Sequence, residues 1–165
     1  MQSMSAYYSN NTHASTSKKL NSLLLPASFV LIALSLSQTA AAITTQDITY
    51  TVDNKAYQGY YAKADRSNAP FILLIHDWDG LTDYEKKRAD MLATVGYNVF
   101  AADMFGADIR PTKLEDKKRL TSTLYDDRSK MRRILAGALN TGQAQGNNVR
   151  AGVTMGYCFG GSVAL

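Results

Sequence analysis

Cysteine is almost absent from this chain, and Cys158 has no second cysteine to pair with. A disulfide framework is therefore excluded, and with no Cys-x-x-Cys a dithiol redox role has nothing to run on. A solitary thiol is either intermolecular, reactive, or simply a small buried hydrophobe. Histidine is nearly as scarce, with His13 near the amino terminus and His76 alone in the remainder. Charge of one sign is lacking too. The formal net charge is +4, but Lys18 and Lys19 belong to a leader, and the remaining 16 basic residues face 14 acidic ones. No basic stripe interleaved with aromatics exists, which argues against a nucleic-acid partner. Long apolar runs are missing as well: Leu20 to Leu36 is interrupted by Asn21, Ser22, Pro26, Ser28 and Ser35. It falls short of the roughly 20 apolar residues that a membrane span wants.

What that run does offer is an address. Lys18-Lys19, the apolar stretch and Thr39-Ala40-Ala41-Ala42 have the order of a secretory signal peptide, with cleavage expected after Ala42. Residues 1–42 are thus expected to be a leader, and the protein to be exported, periplasmic or secreted, without stable membrane insertion after cleavage. Residues 43–165 are enough for one domain with a proper core. At 45% hydrophobic and 19% charged, the composition is that of a globular chain.

Along that domain, Ile43 to Thr51 alternates with Ile48, Tyr50 and Val52 on one face, and Ala56 to Ala62 alternates after Asp53-Asn54-Lys55. The pair predicts an antiparallel hairpin at a sheet edge. Phe71 to Ile75 is continuously apolar, as expected for a strand covered on both faces. Thr82 and Glu85 form a capping box that starts a helix whose inner face is Ala89, Leu92, Ala93 and Val95, and Gly96 ends it. Tyr97 to Ala102 predicts the next buried strand, Leu114 to Leu139 two charged helical patches, and Val149 to Met155 a further buried strand. Strand, helix, strand, helix, strand is the order of an α/β fold with a mostly parallel sheet.

In such sheets ligands collect beyond the carboxyl ends of the strands. Three segments are expected to converge there: His76-Asp77-Trp78-Asp79-Gly80, Asp103-Met104-Phe105-Gly106, and Cys158. The last lies in Gly156-Tyr157-Cys158-Phe159-Gly160-Gly161, a Gly-x-nucleophile-x-Gly elbow in which a strand turns sharply into a helix opening near Gly161. As a thiolate, Cys158 could attack an ester or lactone carbonyl, helped by the field of that helix. The backbone N–H groups of Phe159 and Trp78 are the natural oxyanion donors. His76 precedes the oxyanion loop and is expected to shape it and not to serve as base. Arg110, Arg128 and Arg132 are candidate cations for a substrate carboxylate, with Arg128 and Arg132 on one helix face. Solvated helix charge is the alternative for all three.

The same three segments, with Gly96-Tyr97-Asn98-Val99-Phe100-Ala101-Ala102 leading into the second, resemble the dienelactone hydrolase family in order and spacing, over about residues 45 to 165. The resemblance implies an α/β-hydrolase fold and a Cys-His-Asp triad with Cys158 as nucleophile. It also implies hydrolysis of small carboxylic esters or lactones without metal or organic cofactor. Asp77 matches a glutamate that pairs with the resting thiol in members of the family, and is one methylene shorter. The family continues through further strands that carry the acid and the histidine. The chain is therefore expected to be the amino-terminal part of a larger enzyme, truncated after the elbow and inactive by itself. A non-catalytic relative that binds a small acid or acts as an interaction module is the alternative, and thioesterase activity fits within the first reading.

Overall fold

The computed structural model describes residues 42–165, so the leader expected over residues 1–42 lies, but for Ala42, outside the described residues. Alternation of apolar and polar side chains folds Thr44–Val52 (β1) back on Lys55–Lys63 (β2) in an antiparallel hairpin. Asp53 and Asn54 make the turn with φ of 49° and 59°. Positive φ at both central residues is what a tight hairpin turn requires, and Asp and Asn tolerate it. Ile48, Tyr50 and Val52 share the core face as expected.

Phe71–Ile75 (β3) is buried at every residue. It runs parallel to Asn98–Ala102 (β4) on one side and to Val153–Gly156 (β5) on the other. The five strands lie in the order β1-β2-β4-β3-β5. The hairpin forms one edge, joined antiparallel to β4, while the centre of the sheet is parallel. Because neighbouring residues of a strand point to opposite faces, β3 serves two cores at once. Phe71, Leu73 and Ile75 meet Phe100, Ile134 and Phe159 on one face. Ile72 and Leu74 meet Val99, Ala89 and Ala93 on the other.

The helix covering that second face is Asp83–Thr94 (α1), and its capping box is present as the sequence predicts. The Thr82 hydroxyl accepts from the Tyr84 N–H, and the Glu85 carboxylate accepts from the Thr82 N–H at 2.9 Å. Val95 is not on the inner face but 69% exposed. It follows Ala93 by two residues, about 200° around the helix axis, and Gly96 then turns the chain away at φ 101°.

Leu114–Asp126 (α2), Arg128–Ala144 (α3) and the short Phe159–Ala164 (α4) follow in chain order, α2 and α3 being the two charged helical patches. Two further expectations need correction. Val149–Ala151 is a 3-10 turn, not the start of a strand, and Val153 is 58% exposed. Among the described residues β5 pairs only with β3. The last helix begins at Phe159, not Gly161, because Cys158 itself is its cap. No helix of the described residues is long and apolar enough to cross a membrane.

Candidate active site

At the carboxyl end of β5 the chain makes the elbow. Cys158 adopts φ 49° and ψ −110°, a conformation disfavoured for a residue with a Cβ, and its side chain is exposed. The flanking glycines are sterically required. A Cβ on Gly156 would collide with the Gly160 backbone, and one on Gly160 with the carbonyl oxygens of Ile75 and His76. These close approaches let α4 start directly over the end of β3.

Cys158 opens on a depression of about 270 Å³ lined by Trp78, Thr121, Tyr125, Phe159 and Ser162. Trp78 is carried by the turn after β3. There the Asp77 carboxylate accepts the Asp79 N–H at 2.8 Å and Gly80 takes φ 86°. Phe159 is wedged between Tyr125 and Phe105, with ring centroids 5.6 and 5.5 Å away. Among the described residues, neither the Trp78 N–H nor the Phe159 N–H donates to an internal acceptor. The two expected oxyanion donors therefore belong to residues lining the depression that holds the thiol.

His76 is fully buried and both ring nitrogens are engaged. Nδ1 lies 2.5 Å from the Asp77 carbonyl oxygen, and Nε2 accepts the Met104 N–H at 3.0 Å. This pattern assigns the proton to Nδ1. Burial holds the imidazole pKa below its ordinary value, so the ring is neutral. Its work is to tie the loop after β3 to the loop after β4, and Phe105 packs edge-on against it at 4.6 Å. Asp103 is equally hidden. Its carboxylate accepts the N–H groups of Phe105, Gly106 and Gln58 at 2.9, 3.0 and 3.1 Å, so it braces the second loop from beneath and does not reach the thiol's depression.

The remaining sequence candidates are dispersed. Asp77 lines a neighbouring depression with Asp79, Thr82, Tyr84 and Glu85 and does not line the one that holds Cys158. Arg110 spends its guanidinium on the carbonyls of Leu81, Gly106 and Ile109, with Asp103 at 3.7 Å. Arg128 and Arg132 do share a face, lining with Ser162 a separate depression of about 320 Å³. Sequence reasoning missed Thr121, Tyr125 and Ser162. It also missed Lys117, whose ammonium ion-pairs with Asp79 and lies 5.8 Å from the centre of the Trp78 ring. The available signal was the four-residue spacing of Lys117, Thr121 and Tyr125, which puts them on one face of α2. Among the described residues no three His, Cys, Asp or Glu side chains converge on a metal-sized site.

The sequence model of the dienelactone hydrolase family matches residues 57–165. No protein of curated function matches the chain. Among solved structures, m3DLH is 28% identical with a TM-score of 0.70, covering 74% of this chain and 52% of its own. A dienelactone hydrolase-like promiscuous phosphotriesterase from metagenomic libraries is also 28% identical, with a TM-score of 0.68 and the same two coverages. A dienelactone hydrolase described from Klebsiella pneumoniae shares the fold at 14% identity and a TM-score of 0.57, covering 72% of this chain and 51% of that one. The chain spans about half the length of these solved structures.

Proposed function

The chain belongs to the dienelactone hydrolase family and has its α/β-hydrolase fold, and from that membership we propose that the full-length protein hydrolyses small carboxylic esters or lactones with Cys158 as nucleophile. The observation that carries this reading is the exposed thiol at φ 49°, at the mouth of a depression shared with Trp78 and Phe159. The Cys158 thiolate adds to the substrate carbonyl. The negative charge that develops on the carbonyl oxygen is taken up by the N–H groups of Trp78 and Phe159, each such donor lowering the barrier by roughly 3 kcal/mol. Collapse breaks the ester C–O bond, and the alkoxide leaves with a proton from the general acid. Water, deprotonated by the same group, then attacks the thioester, and collapse releases the carboxylic acid and restores the thiolate beside the reprotonated acid.

That acid-base group is not His76, whose two nitrogens are occupied and whose neutral form is enforced by burial. The histidine and its carboxylate partner come instead from chain beyond Leu165, a reading supported by matched structures of which this chain covers 52%. Asp77 shapes the turn that carries the Trp78 N–H through its bond to Asp79. Arg128 and Arg132 are better placed than Arg110 to hold a substrate carboxylate, since the Arg110 guanidinium is already taken by the carbonyls of Leu81, Gly106 and Ile109. Export, with cleavage of the leader after Ala42, is part of the same proposal.

The test is turnover of p-nitrophenyl acetate by the full-length protein. Cys158→Ala is expected to abolish it, and undiminished turnover removes Cys158 from the mechanism. Asp77→Asn keeps a carbonyl oxygen for the Asp79 N–H and removes only the charge. It should shift the pH dependence of Cys158 alkylation, whereas an unchanged profile restricts Asp77 to shaping the turn.

A further inference from the structure

We propose that Arg88 is a positioning residue for the nucleophile, holding Tyr157 so that Cys158 stays in the strained conformation that presents its thiol. The proposal rests on the reading of Cys158 as nucleophile. A residue at φ 49° and ψ −110° persists only where its surroundings over-determine it. On the helix side they do, through the Gly160 N–H to the Tyr157 carbonyl at 2.8 Å and the Ser162 N–H to the Cys158 carbonyl at 3.2 Å. On the strand side β5 is held by its parallel pairing with β3, Ile75 lying opposite Gly156.

Arg88 reaches this strand side of the elbow from another element. It projects from α1, half-buried, and its Nε–H donates to the Tyr157 hydroxyl at 3.1 Å. Its guanidinium lies 5.6 Å from the centre of the Tyr157 ring and 5.8 Å from that of Tyr84. The two rings also meet edge-on at 5.8 Å. Among the described residues this is the one side-chain hydrogen bond that reaches any residue from Val153 to Leu165. A guanidinium suits the place because it is planar, remains charged, and can stack on a ring while donating from its edge. Tyr157 is covalently next to the nucleophile, so fixing its ring and hydroxyl restricts the backbone torsions that lead into Cys158. A displacement there of an ångström or less is enough to cost activity.

The experiment uses the full-length protein and two readouts, steady-state turnover of p-nitrophenyl acetate and the pH profile of Cys158 alkylation by iodoacetamide. Arg88→Ala should lower kcat about tenfold with KM changed less than twofold, and should shift the alkylation profile. Arg88→Lys should recover only part of the loss, because an ammonium stacks without the in-plane donor. Tyr157→Phe, which loses the hydroxyl and keeps the stacked ring, should cost a smaller factor, and the double variant no more than Arg88→Ala alone, as expected for one shared interaction. Unchanged kcat and alkylation in Arg88→Ala and Tyr157→Phe overturn the proposal, as do losses that multiply in the double variant. Should Arg88→Ala fail to fold, Tyr157→Phe decides by itself. Alkylation reports on the thiol whether or not it is the nucleophile, so failure of the catalytic reading, seen as active Cys158→Ala, is distinguishable from failure of this one.

Discussion

His76 shows how a single residue can be conspicuous in a sequence and yet have its role fixed by burial. Its imidazole pKa is lowered by desolvation, so the folded protein refuses a proton that the unfolded chain accepts near pH 6.5. Below about pH 6.5 the unfolded state therefore binds more protons, and folding stability falls as pH drops, by up to about 1.4 kcal/mol per pH unit from this group. Above that pH the contribution is flat. Urea midpoints of the full-length protein between pH 8 and pH 5 should trace this decline. His76→Gln, which keeps an oxygen for the Met104 N–H and cannot take a proton in this range, should flatten it. Equal slopes in the two proteins would show that His76 takes up its proton without unfolding. At this scale the sequence was legible where chemistry leaves few options: a lone cysteine between glycines has little else to be than an elbow nucleophile or a buried thiol. Arg110 was not legible, because the carbonyls of Leu81, Gly106 and Ile109 that occupy it meet only after folding.

The elements were legible in proportion to how local their causes are. The capping box of α1 and the Asp53-Asn54 turn depend on residues within a few positions of one another, and both are present. The strand expected from Val149 failed because its first three residues wind into a 3-10 turn and β5 has only one strand beside it among the described residues. The inward face of α2 was missed because its residues are polar, and a helix face that lines a cleft carries no apolar stripe to betray it. Between elements, the elbow makes a sharp steric prediction. A methyl on Gly160 has nowhere to go but into the backbone at the end of β3, so Gly160→Ala should destabilise the full-length protein by at least about 2 kcal/mol and abolish turnover. A methyl on Gly161 meets only the Gly156 carbonyl oxygen, at 3.4 Å, an ordinary contact. Gly161→Ala should hold its urea midpoint and most of its turnover, and a reversed order of the two variants would mean that α4 packs on β3 in another register.

At the scale of the whole described unit, two clefts are rival candidates for binding substrate, and size and topology point in opposite directions. The larger, about 680 Å³, lies at the amino ends of β3 and β4 and is lined by Lys63, Arg66, Asn98 and Asn148 among others. The smaller, about 270 Å³, lies at the carboxyl ends with Cys158. Parallel strands deliver their loops to the carboxyl end, and in this chain the turn after β3, the elbow after β5 and the inward face of α2 all meet there. The larger cleft has no nucleophile, and its buried amide, Asn147, is already satisfied by Tyr61, Asn98 and the Gly142 carbonyl. On the proposed mechanism, chemistry belongs to the smaller cleft despite its volume. In the full-length protein, replacing Lys63 and Arg66 together with alanine should leave kcat/KM for p-nitrophenyl acetate within about twofold, as expected for surface charges remote from the reacting atoms. Tyr125→Ala strips an aromatic wall from the thiol's depression and loosens Phe159, one of the proposed oxyanion donors. It should lower kcat/KM about tenfold or more, through kcat as well as KM, because both the substrate's seat and a donor to its transition state move together. If the Lys63 and Arg66 pair proved the more damaging, the carboxyl-end placement of the site would have to be abandoned.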